Sequence, residues 1–174
     1  LNKQLQEVTI LQQLTSIGAV ATDIDDLLKA TTILLGQSFY LENFGIFLYN
    51  TEKEILHRHY SYKTNAEDDQ FEGYDQPINI GILGRAVRTR LTQSVADVTN
   101  DADYHEAYSE IRSELAVPII VNDKVFGVIN TESPVIGHFT EEDENLLSTL
   151  ADRLSSSITK ILLDKSGKQH AKEI

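Results

Sequence analysis

His57 and His59, two residues apart, are the first residues in this chain whose type and spacing suit a chemical task. On an extended segment their side chains share a face and can offer two ligands to a metal ion. No cysteine or clustered carboxylate stands nearby to complete such a site, so the two read as a surface strand pair. His138, next to Gly137, reads as a turn residue. Arg85, Arg88 and Arg90 fall on one segment, either as a solvated helical face complementing a helix dipole or as an anion contact. Gly81-Ile-Leu-Gly84 lacks the lysine and the strand–helix setting of a phosphate loop. No serine sits in a nucleophile turn with histidine and aspartate in a recognisable order. The complete absence of cysteine excludes thiol catalysis, thiolate metal sites, disulfides and thioether attachment. On this reading the chain is not an enzyme, holds no metal, and has no cofactor beyond an unidentified non-covalent small molecule. Asp97, Glu114 and Asn130 carry more information. Each stands beside apolar runs, where a polar group needs a partner, whether a ligand or a backbone cap.

Periodicity gives the elements that must position these residues. Leu5, Val8, Leu11, Leu14 and Ile17 form a helical stripe within residues 1–22. Asp23 or Asp25 suits the cap of a second helix, with Leu27, Leu28, Thr31, Ile33, Leu34 and Leu35 entering the core and Gly36 near its end. Asn43-Phe-Gly-Ile-Phe-Leu-Tyr49 is apolar on both faces and reads as a central strand, turned by Asn50-Thr-Glu-Lys53 into a more polar strand over residues 54–62. Residues 63–76 read as a loop, 77–80 as extended, 81–90 as a helix, 93–98 as extended, and 100–110 as a polar stretch holding a short helix. Leu115-Ala-Val-Pro-Ile-Ile-Val121 and Val125-Phe-Gly-Val-Ile-Asn130 flank Asn122-Asp123-Lys124, which tolerates positive φ. They form a tight hairpin covered on both faces, with Pro118 marking a bulge or an unpaired edge. Thr140 three residues before Asp143, with acidic residues at 141–144, opens a last helix striped by Leu147, Leu150, Leu154, Ile158 and Ile161. Strands paired as hairpins with segregated helices imply an α+β domain with an antiparallel sheet. The long terminal helices share one face, and residues 80–110 make a looser lid, with room for a pocket, on the other.

The net charge of −12, from 27 acidic and 15 basic residues, repels phosphate backbones and excludes direct nucleic-acid binding. No apolar run reaches the roughly 18–20 residues that cross a bilayer, and no signal stretch is present, so this fragment is expected to have no membrane contact and to be cytoplasmic.

From about residue 25 to 161 the chain resembles a GAF domain. The resemblance rests on Gly45-Ile-Phe-Leu-Tyr49, Gly81-Ile-Leu-Gly-Arg-Ala86, Asp97-Val98 with Asp101 and Tyr104, Ser113-Glu-Leu-Ala-Val-Pro118, Gly127-Val-Ile-Asn130, Glu132-Ser133 and Phe139-Thr-Glu-Glu-Asp143, in that order. It implies a six-stranded antiparallel sheet, a ligand pocket between the sheet and the middle helices, and output through terminal helices, commonly in dimers. The implied pocket wall comes from Phe44, Ile46, Leu48, Tyr60 and Val128 on strands, Ile82, Asp97 and Tyr104 on the lid, and Glu114 and Asn130. Cyclic-nucleotide-binding members carry Asn-Lys, then Phe, three residues and Asp-Glu. Here Asn130, Phe139, Asp143 and Glu144 match, but Thr131 replaces the lysine, which makes a cyclic nucleotide the less favoured ligand. Covalent bilin binders and free-methionine-sulfoxide-reducing members both need cysteines, and the resemblance to them fails on that ground.

The resulting expectation is a small-molecule sensor of a bacterial signal-transduction protein, such as a two-component system, with a ligand-free dimerisation or spacer module as the alternative. Residues 1–22 would be a linker and dimerisation helix, 23–163 the sensor domain and 164–174 a polar linker tail. The partners would be a second copy, held through the terminal helices, and an output domain of histidine kinase, cyclase or transcription-regulator type.

Overall fold

The structure, a computed structural model, describes residues 2–40, 42–64, 73–105 and 110–173. Helix α1 (Lys3–Val20) starts at Asn2, whose side chain accepts from the Gln4 N–H, and α2 (Ile24–Ser38) starts at Asp23, which accepts from the Asp26 N–H. Then come β1 (Asn43–Asn50), β2 (Ile55–Arg58), β3 (Asp75–Pro77), α3 (Gly81–Thr89), β4 (Gln93–Val95), a 3-10 turn at Val98–Asn100, β5 (Ser113–Val121), β6 (Lys124–Ser133) and α4 (Glu141–Glu173). The six strands form one sheet in the order β3-β2-β1-β6-β5-β4, every pairing antiparallel. No described helix is long and apolar enough to cross a membrane.

Alternation along the strands divides the core. Phe44, Ile46, Leu115, Val117, Ile119 and Ile129 meet α1, α2 and α4 on one face. Phe47, Leu56, Ala116 and Val128 meet α3 on the other. β5 and β6 are accordingly buried on both faces, as their unbroken apolar runs require. The hairpin turns at Asn122 and Asp123, with φ of 51° and 64°. A register shift follows between Ile119 and Ile120, one residue past the bulge expected at Pro118. Ile120 pairs with Val125 but Ile119 pairs with Gly127, so Phe126 is passed over and every later pair moves by one.

Thr140 and Asp143 cap α4 reciprocally. Asp143 Oδ2 accepts from the Thr140 N–H at 2.8 Å, and Thr140 Oγ1 accepts from the Asp143 N–H at 3.4 Å. The other oxygen of Asp143 accepts from the buried Tyr40 hydroxyl at 3.1 Å, and the Tyr40 ring stacks on Phe44 at 5.1 Å. Burial, then the Asp143 charge, raises the Tyr40 phenol above its ordinary range.

Several expectations change. The buried stripe of α1 is Ile10, Leu14 and Gly18, whereas Leu5 and Val8 are about half exposed. The reason is the α1–α4 crossing: at Gly18 the Ser157 hydroxyl occupies the space a Cβ would need. The α4 stripe from Leu147 to Ile161 is buried in the chain's own core, so those five side chains are not free to line a dimer axis. The segment from 164, expected as a linker tail, continues α4 to Glu173. The extended element near Pro77 is Asp75–Pro77, because Gln76 pairs with Leu56. α2 runs two residues past Gly36. The short helix expected within 100–110 does not form over residues 101–105, which follow a 3-10 turn at Val98–Asn100 that Asp97 caps at its start; residues 106–109, and residues 65–72 of the expected loop, lie outside the described residues.

Asp143→Ala removes a helix cap and leaves the Tyr40 hydroxyl buried without its acceptor. We expect a loss of about 2–3 kcal/mol in urea unfolding, with Asp143→Asn losing less.

Candidate functional site

Glu114 on β5 and Glu132 on β6 are directly opposite each other, on the sheet face beneath α3. Asn130, two residues before Glu132, and Asn43, opposite Glu132 on β1, share that face. All four are buried. Asn130 Nδ2 donates to Glu114 Oε1 at 2.8 Å, and Asn43 Nδ2 donates to Glu132 Oε2 at 3.2 Å. The Tyr62 hydroxyl donates to Asn130 Oδ1 at 3.0 Å. Two carboxyl groups taken out of water at paired positions cannot both ionise cheaply. Burial, then the Glu132 charge, raises Glu114 well above the carboxylate range. Burial raises Glu132 to about 7, against the opposing Asn43 hydrogen bond and the Arg58 charge.

The pair lies in the floor of a cavity whose walls are Phe47, Arg58, Tyr62, Tyr74, Gln76, Gly81, Ile82, Leu83 and His105, with Asn130 beside it. Counting its mouth, the cavity has about 540 Å³ free of protein atoms. Gly45 makes room for the Tyr62 ring, which occupies the space of the missing Cβ. The Arg58 guanidinium stands 5.0 Å above that ring. Gln76 Nε2 donates to the Ile80 carbonyl at 3.1 Å and so steers the chain into α3.

Arg85 on α3 fixes the lid. Its guanidinium donates to both Asp101 oxygens at 2.9 and 2.8 Å, to Asp103 at 3.1 Å, and to Gln93 at 2.7 Å. This corrects the solvated arginine face: Arg85 is half-buried and holds the Asp101 carboxyl below its ordinary range. The segment so anchored carries His105, whose ring stacks against Tyr74 at 6.2 Å.

Of the expected pocket wall, Ile82, Glu114 and Asn130 come together at the cavity. Phe44, Ile46 and Leu48 do not: they pack on the opposite side of the sheet, against the helices. In β1, apolar on both faces, the parity that faces the lid belongs to Asn43, Gly45, Phe47 and Tyr49. Val128 has the right parity but lies within the α3-side core, and Tyr104 packs against that core. Tyr60 is exposed in the turn after β2, and Asp97 caps the 3-10 turn and pairs with Arg112 at 3.4 Å. The sequence reading missed Glu132, Tyr62, Arg58, Gln76, Tyr74 and His105. Glu132 had a signal, since it shares the parity of Asn130 on the same strand.

The two histidines also separate. His57 pairs with Asp75 across β2 and β3. His59 is 3% exposed, not a surface residue, with Nε2 3.0 Å from Asp25 and Nδ1 2.7 Å from the Ser61 hydroxyl. Among the described residues no cluster of three or more His, Asp or Glu side chains is placed to hold a metal.

A profile of the GAF domain matches residues 21–159. The chain belongs to the GAF domain family. Within it, the chain is 32% identical over 78 residues to the free methionine-R-sulfoxide reductase of Escherichia coli (strain K12), covering 45% of this chain and 47% of that protein. It is 27% identical over 125 residues to protein YtsP of Bacillus subtilis (strain 168), covering 67% and 76%. The structure is similar to the free methionine-R-sulfoxide reductase of Neisseria meningitidis in complex with its substrate, with a TM-score of 0.82, 25% identity and 92% of each chain covered. The E. coli alignment spans less than half of that enzyme.

These relatives overturn the expectation of a signalling sensor without enzymatic activity, together with its two-component setting: free methionine-R-sulfoxide reductases, which are enzymes, are among the proteins this GAF domain resembles. The sequence reading set the reductases aside because the chain has no cysteine. That criterion concerns one nucleophile. Fold, cavity and acid pair are set by other residues.

The acid pair predicts an unusual pH dependence. Carboxyls raised in the folded state favour folding most when protonated, and that contribution is lost as pH rises from about 4.5 through about 7. The thermal midpoint should fall by on the order of 5 °C between pH 5 and pH 8. Glu114→Gln and Glu132→Gln should each flatten that slope in calorimetric scans; an unchanged slope in both would exclude the pair as its source.

Proposed function

We propose that the cavity takes free methionine-R-sulfoxide and that the chain promotes its reduction, with both electrons drawn from a thiol outside these 174 residues. The observation that carries this reading is the pair of buried, facing carboxyls in a lidded cavity. The names and the fold of the relatives point the same way. A neutral carboxyl donates a strong hydrogen bond to the dipolar oxygen of a sulfoxide and makes its sulfur more electrophilic. Arg58, at the same cavity, supplies a cation for the carboxylate of a free amino acid.

The reaction balances with two thiols. The first attacks the sulfoxide sulfur as a thiolate; the S–O bond breaks, and the oxygen leaves as water after taking two protons, one of them from the acid pair. The second thiol attacks the new S–S bond, releasing the thioether and a disulfide. Zero cysteines place both thiols outside the chain.

Calorimetry with the R epimer, the S epimer and methionine tests binding, and chromatographic detection of methionine formed with excess dithiothreitol tests turnover. The R epimer should bind about tenfold or more tighter than the S epimer, methionine should form faster than with thiol alone, and Glu114→Gln should lose the rate increase. No heat with either epimer and no rate above the thiol background would overturn the reading.

A further inference from the structure

The acid pair is served by a chain of donors that begins outside the strands carrying it. Tyr62 follows β2 and lies over Gly45 of β1, and its hydroxyl donates to Asn130 Oδ1 at 3.0 Å. In this arrangement the phenol donates to the amide oxygen, which leaves the amide NH2 for another acceptor. Asn130 turns Nδ2 toward Glu114, and it donates to Oε1 at 2.8 Å. An oxygen that accepts from an amide N–H is the carbonyl-like oxygen of a neutral carboxyl. The proton is therefore left on Oε2.

We propose that Tyr62, acting through Asn130, is a positioning residue that fixes which oxygen of Glu114 carries its proton and so presents that proton to Glu132 or to a cavity ligand. This deepens the sulfoxide reading and rests on it only for the ligand. The relay itself stands on the hydrogen-bond chain and on the burial of Asn130 and Glu114, 1% and 3% exposed. Without the Tyr62 hydroxyl, Asn130 is free to flip. Its oxygen would then accept the Glu114 proton, which stabilises the neutral acid and turns the donor away from the cavity. The other charged and titratable groups around Glu114 are Glu132 on β6, Arg58 on β2, Arg85 on α3, Asp101 beyond the 3-10 turn, and His105 and Tyr74 at the mouth. Tyr62→Phe leaves all of them in place.

The test is a pH titration of the folded chain labelled with carbon-13 at the Glu side-chain carboxyl carbon, followed by NMR, with the Glu114 resonance assigned through Glu114→Gln. In Tyr62→Phe the Glu114 midpoint should rise by about half a pH unit or more. In Asn130→Ala, which removes the amide altogether, it should also rise, because the amide donor to Oε1 is gone. Gly45→Ala, which displaces the Tyr62 ring by another route, should reproduce the Tyr62→Phe shift. If Tyr62→Phe lowers the melting temperature but leaves the midpoint in place, Tyr62 is only structural and the proposal is overturned. With free methionine-R-sulfoxide as probe, Tyr62→Phe should weaken binding about tenfold while the S epimer is unaffected. A wild-type chain that binds no sulfoxide but shows the midpoint shift refutes the ligand and upholds the relay.

Discussion

Two carboxyl groups facing each other at paired positions of adjacent strands, both out of water, are the constraint around which the α3 side of this protein is arranged. Glu114 and Glu132 cannot both be ionised there without a large electrostatic penalty, and the charges of Arg85 near Glu114 and Arg58 near Glu132 only partly offset it. The fold also brings amides. Asn130 and Asn43 donate to one carboxyl apiece, which satisfies an oxygen without forcing ionisation. Arg58 is near enough to oppose the upward shift of Glu132, yet it stands over the Tyr62 ring and not in a bidentate clasp on either acid. The consequence is a pair that holds its protons above the ordinary carboxylate range, an arrangement that suits donation to a ligand oxygen better than capture of a cation.

That pairing depends on one displaced residue in the β5–β6 hairpin. The turn at Asn122 and Asp123 sets a register in which Glu114 would oppose Thr131. The shift at Ile119 and Ile120 moves the pairing by one, and Glu114 meets Glu132. Thr131 is then free to face the helices, where its hydroxyl donates to the Asn43 carbonyl at 2.8 Å. The same Thr131 replaces the lysine of cyclic-nucleotide-binding relatives. It stands on the helix side of the sheet and is not among the residues that line the cavity.

The architecture was legible in the sequence because it rests on strong local signals: the unbroken apolar runs of β5 and β6, the Asn-Asp turn, the Thr140 to Asp143 cap and the α4 stripe. The site was legible only in part. Glu114 and Asn130 stood out as polar residues among apolar ones, and that criterion does not depend on strand phase. Phe44, Ile46 and Leu48 were misplaced because β1 is apolar on both faces, so parity cannot be read from composition. Glu132 shared the parity of Asn130, but its pairing with Glu114 rests on a register shift that no single residue announces. Arg58 and Gln76 lie on the short strands β2 and β3, and Tyr62 and His105 on connecting segments, brought in by long-range contacts such as Arg85 with Asp101, which no periodicity encodes. The buried His59 was read as exposed because its partner, Asp25, is 34 residues away on α2.

The lack of cysteine takes a different meaning once the acid pair is in view. Reducing a sulfoxide needs electrons at sulfur and protons at oxygen, and these two demands can be met by different molecules. A thiol answers the first, and this chain contains none. Buried neutral carboxyls answer the second, and here the sheet register, two amides and a tyrosine are all spent on keeping them in place. Buried acids at facing positions are destabilising unless neutral, so a chain with no use for their protons would gain stability from replacing either with an apolar residue. On the proposed reading, the absent nucleophile limits where the electrons originate, and the acid pair supplies the protons.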